Sequence, residues 1–170
     1  MPLGSAEILA LTGMMGSGKS ATARELSRLT GRGVVSLDQE IVRRTGKAIA
    51  AIFAEEGEPR FRALEREAVA ALAPGVIADL GGGAFCDPVS AERLLSAGRV
   101  IFLEVSAEEA ARRIGTDGGR PLAGRWEELL RARLPLYRRA HVTVVTDGLT
   151  PELVARRIIV ALEALSMEAT

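Results

Sequence analysis

Eight consecutive residues have the types and spacing of a phosphate-binding loop. The segment Gly13-Met14-Met15-Gly16-Ser17-Gly18-Lys19-Ser20 satisfies the pattern G-x-x-x-x-G-K-[ST] at every position. Its glycines let backbone N–H groups turn inward around phosphate oxygens, and a helix that opens beside them adds the positive end of its dipole. Lys19 would then reach the β- and γ-phosphates and Ser20 would ligate Mg²⁺. The motif therefore predicts nucleotide binding and leaves the phosphate acceptor undefined.

The segments around this loop alternate in the manner of a parallel α/β sheet. Short apolar or β-branched runs predict strands at residues 8–12, 34–37, 76–80, 99–105 and 142–146. Segments of helical period predict helices at residues 17–29, 39–46, 48–56, 59–72, 88–97, 107–114, 125–140 (interrupted around Pro135) and 151–165. The segment 115–124 is rich in glycine, which predicts a mobile loop. Because a strand precedes the phosphate loop and a helix follows it, a chance match to the motif is disfavoured.

Composition restricts the partners that the protein can have. The 170 residues fit one domain, and the 22 Lys and Arg residues balance the 22 Asp and Glu residues. This balance gives no overall field toward nucleic acid or anionic lipid, and no apolar run approaches the roughly 20 residues that span a bilayer. Cys86 is the only cysteine, which excludes an intramolecular disulfide and favours a reducing compartment. We therefore expect one cytoplasmic domain over residues 1–170, monomeric, with no nucleic-acid or membrane partner.

Three sets of residues beyond the loop are suited to binding a small polar molecule. Asp38 stands at the start of a predicted helix, where an aspartate is typically an N-cap. Arg62 and Glu65 lie one turn apart on a predicted helix, as in an ordinary solvated ion pair. Gly81-Gly82-Gly83 follows the third predicted strand and would allow a ligand close to the backbone or form a plain flexible turn. From the residues alone, both interpretations stay open for each set.

These residues belong to a longer series of short motifs. The series contains Asp38 with Thr45-Gly46, Gly57-Glu58-Pro59-Arg60-Phe61-Arg62-Ala63-Leu64-Glu65, the triple glycine, Arg112-Arg113 followed by Arg120-Pro121-Leu122, and Leu134-Pro135-Leu136-Tyr137-Arg138. In order and spacing, and over nearly the full length of the chain, the series resembles the shikimate kinases. The resemblance implies a three-layer α/β/α P-loop NTPase fold, similar to nucleoside monophosphate kinases. It also implies a five-stranded parallel sheet in the order 2-3-1-4-5, with ATP as cosubstrate, Mg²⁺ as cofactor and shikimate as acceptor.

The resemblance further implies roles for individual residues. Lys19, Asp38 and Arg120 would form the catalytic set, with Asp38 contacting the acceptor hydroxyls and serving as the base. Arg62 and Arg138 would bind the acceptor carboxylate, where a planar guanidinium binds bidentately. The segment of about 38–72 would supply substrate-binding helices, with Glu65 orienting Arg62 and Gly81, Gly82 and Gly83 lying beside the substrate. Arg113 would stack on adenine. The loop at about 115–124 would be a lid, and Arg120 would close with it over the transferring phosphate.

The chain departs from the family pattern at one acidic position. The pattern has D-x-D where this chain has Ser36-Leu37-Asp38, so the first carboxylate, which helps to hold Mg²⁺ through water, is missing. Asp79 stands two residues before the triple glycine, where P-loop proteins generally keep an acid. We expect Asp79 to orient the Mg²⁺ waters in place of the missing acid, with capping of the glycine turn as the alternative. Two rival functions stay open. Another small-molecule kinase, such as a gluconate kinase, would share the phosphate loop, and the absence of the acid at Ser36 leaves room for a non-catalytic nucleotide-binding module.

Overall fold

A parallel sheet forms the centre of the protein in this computed structural model, which describes residue 4, residues 6–115 and residues 123–168. Within these residues the sheet has five strands, which are β1 (Ile8–Thr12), β2 (Val34–Ser36), β3 (Ile77–Asp79), β4 (Gly98–Glu104) and β5 (Val142–Val145). Their spatial order is β2-β3-β1-β4-β5, and every neighbouring pair is parallel. The predicted sheet order is thereby confirmed.

Helices connect the strands and cover both faces of the sheet. They are α1 (Lys19–Thr30), α2 (Leu37–Thr45), α3 (Ile49–Glu56), α4 (Glu58–Ala70), α5 (Pro88–Ala97), α6 (Ala107–Ile114), α7 (Ala123–Tyr137) and α8 (Pro151–Glu168), with a short 3₁₀ turn at Ala84–Cys86. The first helix begins two residues later than predicted, because Gly18 takes a left-handed conformation (φ 87°) at its N-cap.

The structure corrects one prediction for the region after α6 and describes only part of the segment that another prediction concerns. The expected interruption around Pro135 is wrong, since α7 continues through that residue to Tyr137. Pro135 lies in the last turn, where it removes one helical hydrogen bond, and the Arg138 N–H still donates to the Leu134 carbonyl at 3.0 Å. Of the predicted lid, residues 116–122 lie outside the described part of the chain, and residues 123–124 belong to α7.

The core forms two layers because successive side chains of a strand point to opposite faces. On β1, Ile8 and Ala10 pack into a cluster shared with α2, α4, α5 and α7. Leu9 and Leu11 face the other side and pack with α1 and α8. All five residues of β1 are buried, so the strand that leads into the phosphate loop has little freedom to move. In the ranges that the structure describes, no helix has the length and apolar character to cross a membrane.

The carboxyl ends of the strands gather the polar motifs at one edge of the sheet. The phosphate loop follows β1, Asp38 opens α2 just after β2, and the glycine turn follows β3. Ligands of parallel α/β sheets bind at this edge. On its far side, α7 approaches the loop, and the Trp126 indole N–H donates to the Met15 carbonyl oxygen at 3.0 Å.

Candidate active site

A cleft of about 690 Å³ opens at this edge of the sheet, large enough for a nucleotide and a small acceptor together. The predicted site residues that line it are Met15, Gly16, Gly18, Lys19, Ser20, Asp38, Arg62, Glu65, Asp79, Gly81, Gly82, Gly83 and Arg113. Gly13, Met14 and Ser17 lie buried behind them in the phosphate loop. The structure thus brings most of the predicted residues into one concave surface.

The phosphate loop wraps around the Lys19 ammonium. Lys19 Nζ donates to the carbonyl oxygens of Gly13 (2.8 Å) and Met14 (3.2 Å), so the cation is held at the mouth of the loop. The pKa of Lys19 is lowered to about 8, because burial and, to a lesser extent, the charge of Arg133 outweigh the opposing carboxylates of Asp79 and Asp38. A cation that gives up water in this way favours an anionic ligand, because phosphate oxygens replace the lost hydration.

Nucleotide affinity should therefore fall as the pH rises through about 8. Bound phosphate favours the ammonium form of Lys19, so above that pH binding must take up a proton, whereas below it the cation is already present. We expect the Kd for ADP to be flat near pH 7 and to rise by up to about tenfold per pH unit above pH 8, measured by calorimetry. Lys19→Arg is the matched control, because its charge persists and its profile should stay flat. A flat wild-type profile would contradict this assignment.

Ser20 and Asp79 form an oxygen-rich pair beside Lys19. The Ser20 hydroxyl donates to Asp79 Oδ2 at 2.6 Å, and Asp79 is the register partner of Ser36 on the adjacent strand. Positions 36 and 79 therefore face the same point of the cleft edge. The Ser36 hydroxyl caps α2 by accepting from the Gln39 N–H at 3.4 Å. Among the described residues, the Asp79 carboxylate accepts a hydrogen bond from Ser20 and none from the glycine turn, which disfavours the capping alternative.

Asp38 has the properties of a base at the same edge. Because Ser36 is the N-cap of α2, the carboxylate of Asp38 is free to face the cleft. Desolvation raises the pKa of Asp38 and the nearby Asp79 raises it further, while Lys19 and Arg62 act in the opposite direction. A carboxyl with a raised pKa binds a proton more readily than an ordinary aspartate does.

Arg62 and Glu65 form an ion pair that points into the cleft. Arg62 Nη1 lies 2.8 Å from Glu65 Oε1, and the Glu65 side chain is 2% exposed. Burial raises the pKa of Glu65, and Arg62 opposes the rise. Glu65 is a buried partner of Arg62, in contrast to a solvated pair, so it fixes the direction of the guanidinium. A Cβ atom at Gly83 would collide with that guanidinium, which explains the glycine.

The structure does not bring Arg138 to the cleft. Arg138 is exposed just after the end of α7, whereas Arg133 lines the cleft together with Leu129. Residues 129, 133 and 137 are four apart and share one face of α7, and position 138 is rotated about 100° away from that face. Arg133 lies close to Gly82: a Cβ atom added at Gly82 would be 2.8 Å from Arg133 Nη1. Helix phase identifies Arg133 as the second arginine of the site, which the sequence analysis missed.

Arg113 ties the phosphate loop to two neighbouring elements. Its guanidinium donates to the carbonyl oxygens of Gly16 (3.3 Å), Ser17 (3.2 Å) and Thr146 (2.6 Å), and Glu109 on α6 accepts from its Nε at 3.0 Å. This places Arg113 beside the loop at the β5 end of the cleft. Arg120, the predicted lid arginine, lies outside the described residues.

Comparisons of the sequence with known proteins identify one family. The family model "Shikimate kinase" matches residues 15–163. The shikimate kinase of Streptomyces coelicolor is 44% identical over 168 residues, which cover 94% of this chain and 97% of that protein. The shikimate kinase of Thermobifida fusca is 44% identical over 165 residues, covering 92% and 95%.

Comparisons of the structure give the same result. The shikimate kinase from Acinetobacter baumannii, solved in complex with shikimate, superposes with a TM-score of 0.87 at 32% identity and covers 94% of each chain. A gluconokinase from Sinorhizobium meliloti superposes with a TM-score of 0.61 at 17% identity, covering 97% of this chain and 96% of that one. The second likeness shows a shared fold and carries no argument about the acceptor.

Proposed function

Since the chain belongs to the shikimate kinase family, we propose that it transfers the γ-phosphoryl group of ATP to the 3-hydroxyl of shikimate. A bond forms between the 3-oxygen and γ-phosphorus, the bond from γ-phosphorus to the β-bridging oxygen breaks, and ADP and shikimate 3-phosphate leave. One observation carries the proposal: a single cleft joins a phosphate loop to a carboxylate and two guanidiniums on its opposite wall. Such a wall suits a small hydroxy acid.

Phosphoryl transfer needs positioning and charge stabilisation more than covalent chemistry. The phosphate loop and Lys19 bind the β- and γ-phosphates, and the amides of the loop face the same oxygens. Ser20 and Asp79 offer hard oxygen donors that suit Mg²⁺, Ser20 directly and Asp79 through water. In the part of the chain that the structure describes, no group of three or more His, Cys, Asp or Glu side chains is placed to hold a metal ion by itself. When bound, Mg²⁺ neutralises charge on the β- and γ-phosphate oxygens.

The opposite wall orients the acceptor. Arg62, held by Glu65, and Arg133 bind the carboxylate, and the glycine turn at Gly81–Gly83 lets the ring approach the backbone. Asp38 contacts the 3-hydroxyl and takes its proton as the new bond forms. Arg133 replaces Arg138 in this assignment, since it faces the cleft and Arg138 does not.

The remaining roles stay predictions. Arg113 would contact the adenine and Arg120 would close with the lid over the γ-phosphate, which excludes water that would otherwise hydrolyse ATP. A monomeric state and a reducing, cytoplasmic setting also remain predictions from the sequence.

The choice between Arg133 and Arg138 is directly testable. Arg133→Ala should lose about 2–5 kcal/mol in kcat/KM for shikimate, since it leaves a bound carboxylate without its partner. Arg138→Ala, five residues away on the exposed side, is the matched control and should change kcat/KM by less than about 0.5 kcal/mol. Nucleotide affinity should hardly change in either variant. If steady-state kinetics showed a larger loss of kcat/KM for Arg138→Ala than for Arg133→Ala, Arg138 would be the carboxylate-binding residue.

The proposed function is tested by ADP release with a panel of acceptors, namely shikimate, quinate, gluconate and a nucleoside monophosphate. Shikimate should be used at least about a hundredfold more efficiently than gluconate or the nucleotide. Gluconate is an open chain that does not hold its hydroxyls at a fixed distance from its carboxylate, and the nucleotide has no carboxylate for the two arginines. Comparable kcat/KM for gluconate would favour a sugar-acid kinase. Nucleotide binding without turnover of any acceptor would favour the non-catalytic alternative.

A further inference from the structure

The hydroxyl group of Tyr137 lies behind the cleft, between the glycine turn and the phosphate loop. The ring is fully buried at the end of α7 and stacks on Phe102 with 4.9 Å between ring centroids. The hydroxyl donates a hydrogen bond to the Gly82 carbonyl oxygen, in the glycine turn, and lies 3.8 Å from Met14 Sδ, in the phosphate loop. One phenol therefore contacts a segment of the proposed acceptor site and a segment of the nucleotide site.

A third contact connects this phenol to the carboxylate-binding wall. Arg133 precedes Tyr137 by one helical turn, and its guanidinium and the tyrosine hydroxyl both pack against Gly82. A Cβ atom at Gly82 would lie 2.8 Å from Arg133 Nη1, 3.5 Å from the Gly13 carbonyl oxygen and 3.6 Å from the Tyr137 oxygen. Gly82 is thus enclosed by α7 on one side and by the phosphate loop on the other. Any change in the length of these contacts would move the glycine turn and Arg133, which form the wall proposed to hold the acceptor, relative to the phosphates.

The hydrogen bond to Gly82 is a good candidate for fixing that distance. Burial raises the pKa of Tyr137 to about 12, with Arg133 opposing the rise, so the hydroxyl keeps its proton and remains a donor at working pH. The Cys86 thiol lies 4.0 Å from the same carbonyl oxygen and is a much weaker donor. The ring is fully buried at the end of α7, and its place on that helix directs the hydroxyl at the glycine turn.

We propose that Tyr137 is a positioning residue that sets the distance between the phosphate loop and the wall of the cleft that holds the acceptor. Binding of either ligand, nucleotide or acceptor, then alters the surroundings of the Tyr137 side chain. The inference rests on the proposed transfer reaction and adds to it a residue that touches neither ligand. In-line transfer requires the acceptor oxygen close to the phosphorus, and a displacement of about 1 Å can cost about 10²-fold in rate. The role should therefore appear in kcat and leave the binding of each ligand alone largely unchanged.

Tyr137→Phe is the first test, because it deletes the hydroxyl and keeps the ring and its stack. We expect kcat to fall about 10- to 100-fold, with the Kd of ADP and the Kd of shikimate, each measured singly, within about threefold of wild type. A kcat within about twofold of wild type would overturn the proposal. So would a loss of shikimate affinity as large as the loss of kcat/KM, since that would make Tyr137 a binding residue.

A stability control separates positioning from general support of the core. Phe102→Leu removes the stacking partner and leaves the hydroxyl, so it should lower Tm while kcat per folded protein stays within about twofold of wild type. Both variants are assayed well below their unfolding temperatures. If Phe102→Leu lost as much kcat as Tyr137→Phe, the tyrosine would act only through the core.

A second measurement needs no substitution and decides the matter if Tyr137→Phe does not fold. Tyr137 is the only tyrosine in the sequence, so protein labelled with ¹³C at tyrosine Cζ gives one side-chain resonance. That resonance should shift on addition of ADP alone and also on addition of shikimate alone. A shift with only one ligand, or with neither, would overturn the proposal. The ADP arm does not depend on the acceptor, and absence of wild-type turnover with shikimate would instead count against the proposed function.

Discussion

Replacing Asp38 by asparagine is expected to lower kcat by about 10²- to 10⁴-fold, the range for loss of a positioned general base. Asparagine keeps the size of the side chain and its contact with an acceptor hydroxyl, but it cannot take the proton. Affinity for ATP should change little, because the phosphates are bound by the loop on the other wall. Stopped-time measurement of ADP release at saturating substrates gives kcat directly.

The pH profile provides the control for this prediction. In the wild type, kcat/KM should fall on the acid side as Asp38 takes up a proton, and burial together with Asp79 places that limb above the usual aspartate range. The limb should be absent in Asp38→Asn, which has no titrating group there. Turnover of the variant within about tenfold of wild type would show that Asp38 orients the hydroxyl and does not act as the base.

Removing the carboxylate of Asp79 should cost nearly as much. Ser36 and Asp79 are partners across β2 and β3, and the Asp79 carboxylate already accepts from the Ser20 hydroxyl, the expected Mg²⁺ ligand. We expect Asp79→Ala to lose about 2–4 kcal/mol in kcat/KM, comparable with losing one preorganised electrostatic contact. The Mg²⁺ concentration required for half-maximal activity should rise in the same variant.

The exchange of the two positions is the sharper experiment. Because the residues are paired in register, Ser36→Asp combined with Asp79→Ser should place the charge at the same edge and recover much of the lost activity. A double-mutant cycle, with Mg²⁺-dependent ADP affinity measured alongside turnover, exposes the coupling. Additive effects, or an Asp79→Ala enzyme with unaltered Mg²⁺ dependence, would leave Asp79 with a structural role.

The parts of this molecule that follow from neighbouring residues could be predicted from the sequence. The phosphate loop is one continuous motif, and the alternation of apolar strands and helices predicts a parallel sheet, whereas the order of its strands came from the family resemblance. The ion pair of Arg62 and Glu65 followed from their spacing on a helix. Its burial did not follow, since it depends on which helices cover it.

The features that were missed depend on phase and register between distant segments. Arg138 stands in the predicted site and Arg133 is missing from it, because a motif gives positions along the chain but not the face of the helix that meets the cleft. The pairing of Ser36 with Asp79 requires strand register, and the contact of Tyr137 with Gly82 joins residues 55 apart. The Asp79 hypothesis could be stated from the sequence, but the hydrogen bond to Ser20 that supports it could not.

The hydrogen bond between Trp126 and Met15 has a practical consequence. The chain has one tryptophan, and its indole N–H donates to a carbonyl of the phosphate loop. Indole emission depends on the polarity and hydrogen bonding around that group, so occupation of the loop will be visible in the intrinsic fluorescence of the unlabelled protein. A nucleotide titration can therefore be followed optically, without a coupled assay and without an acceptor in the cuvette.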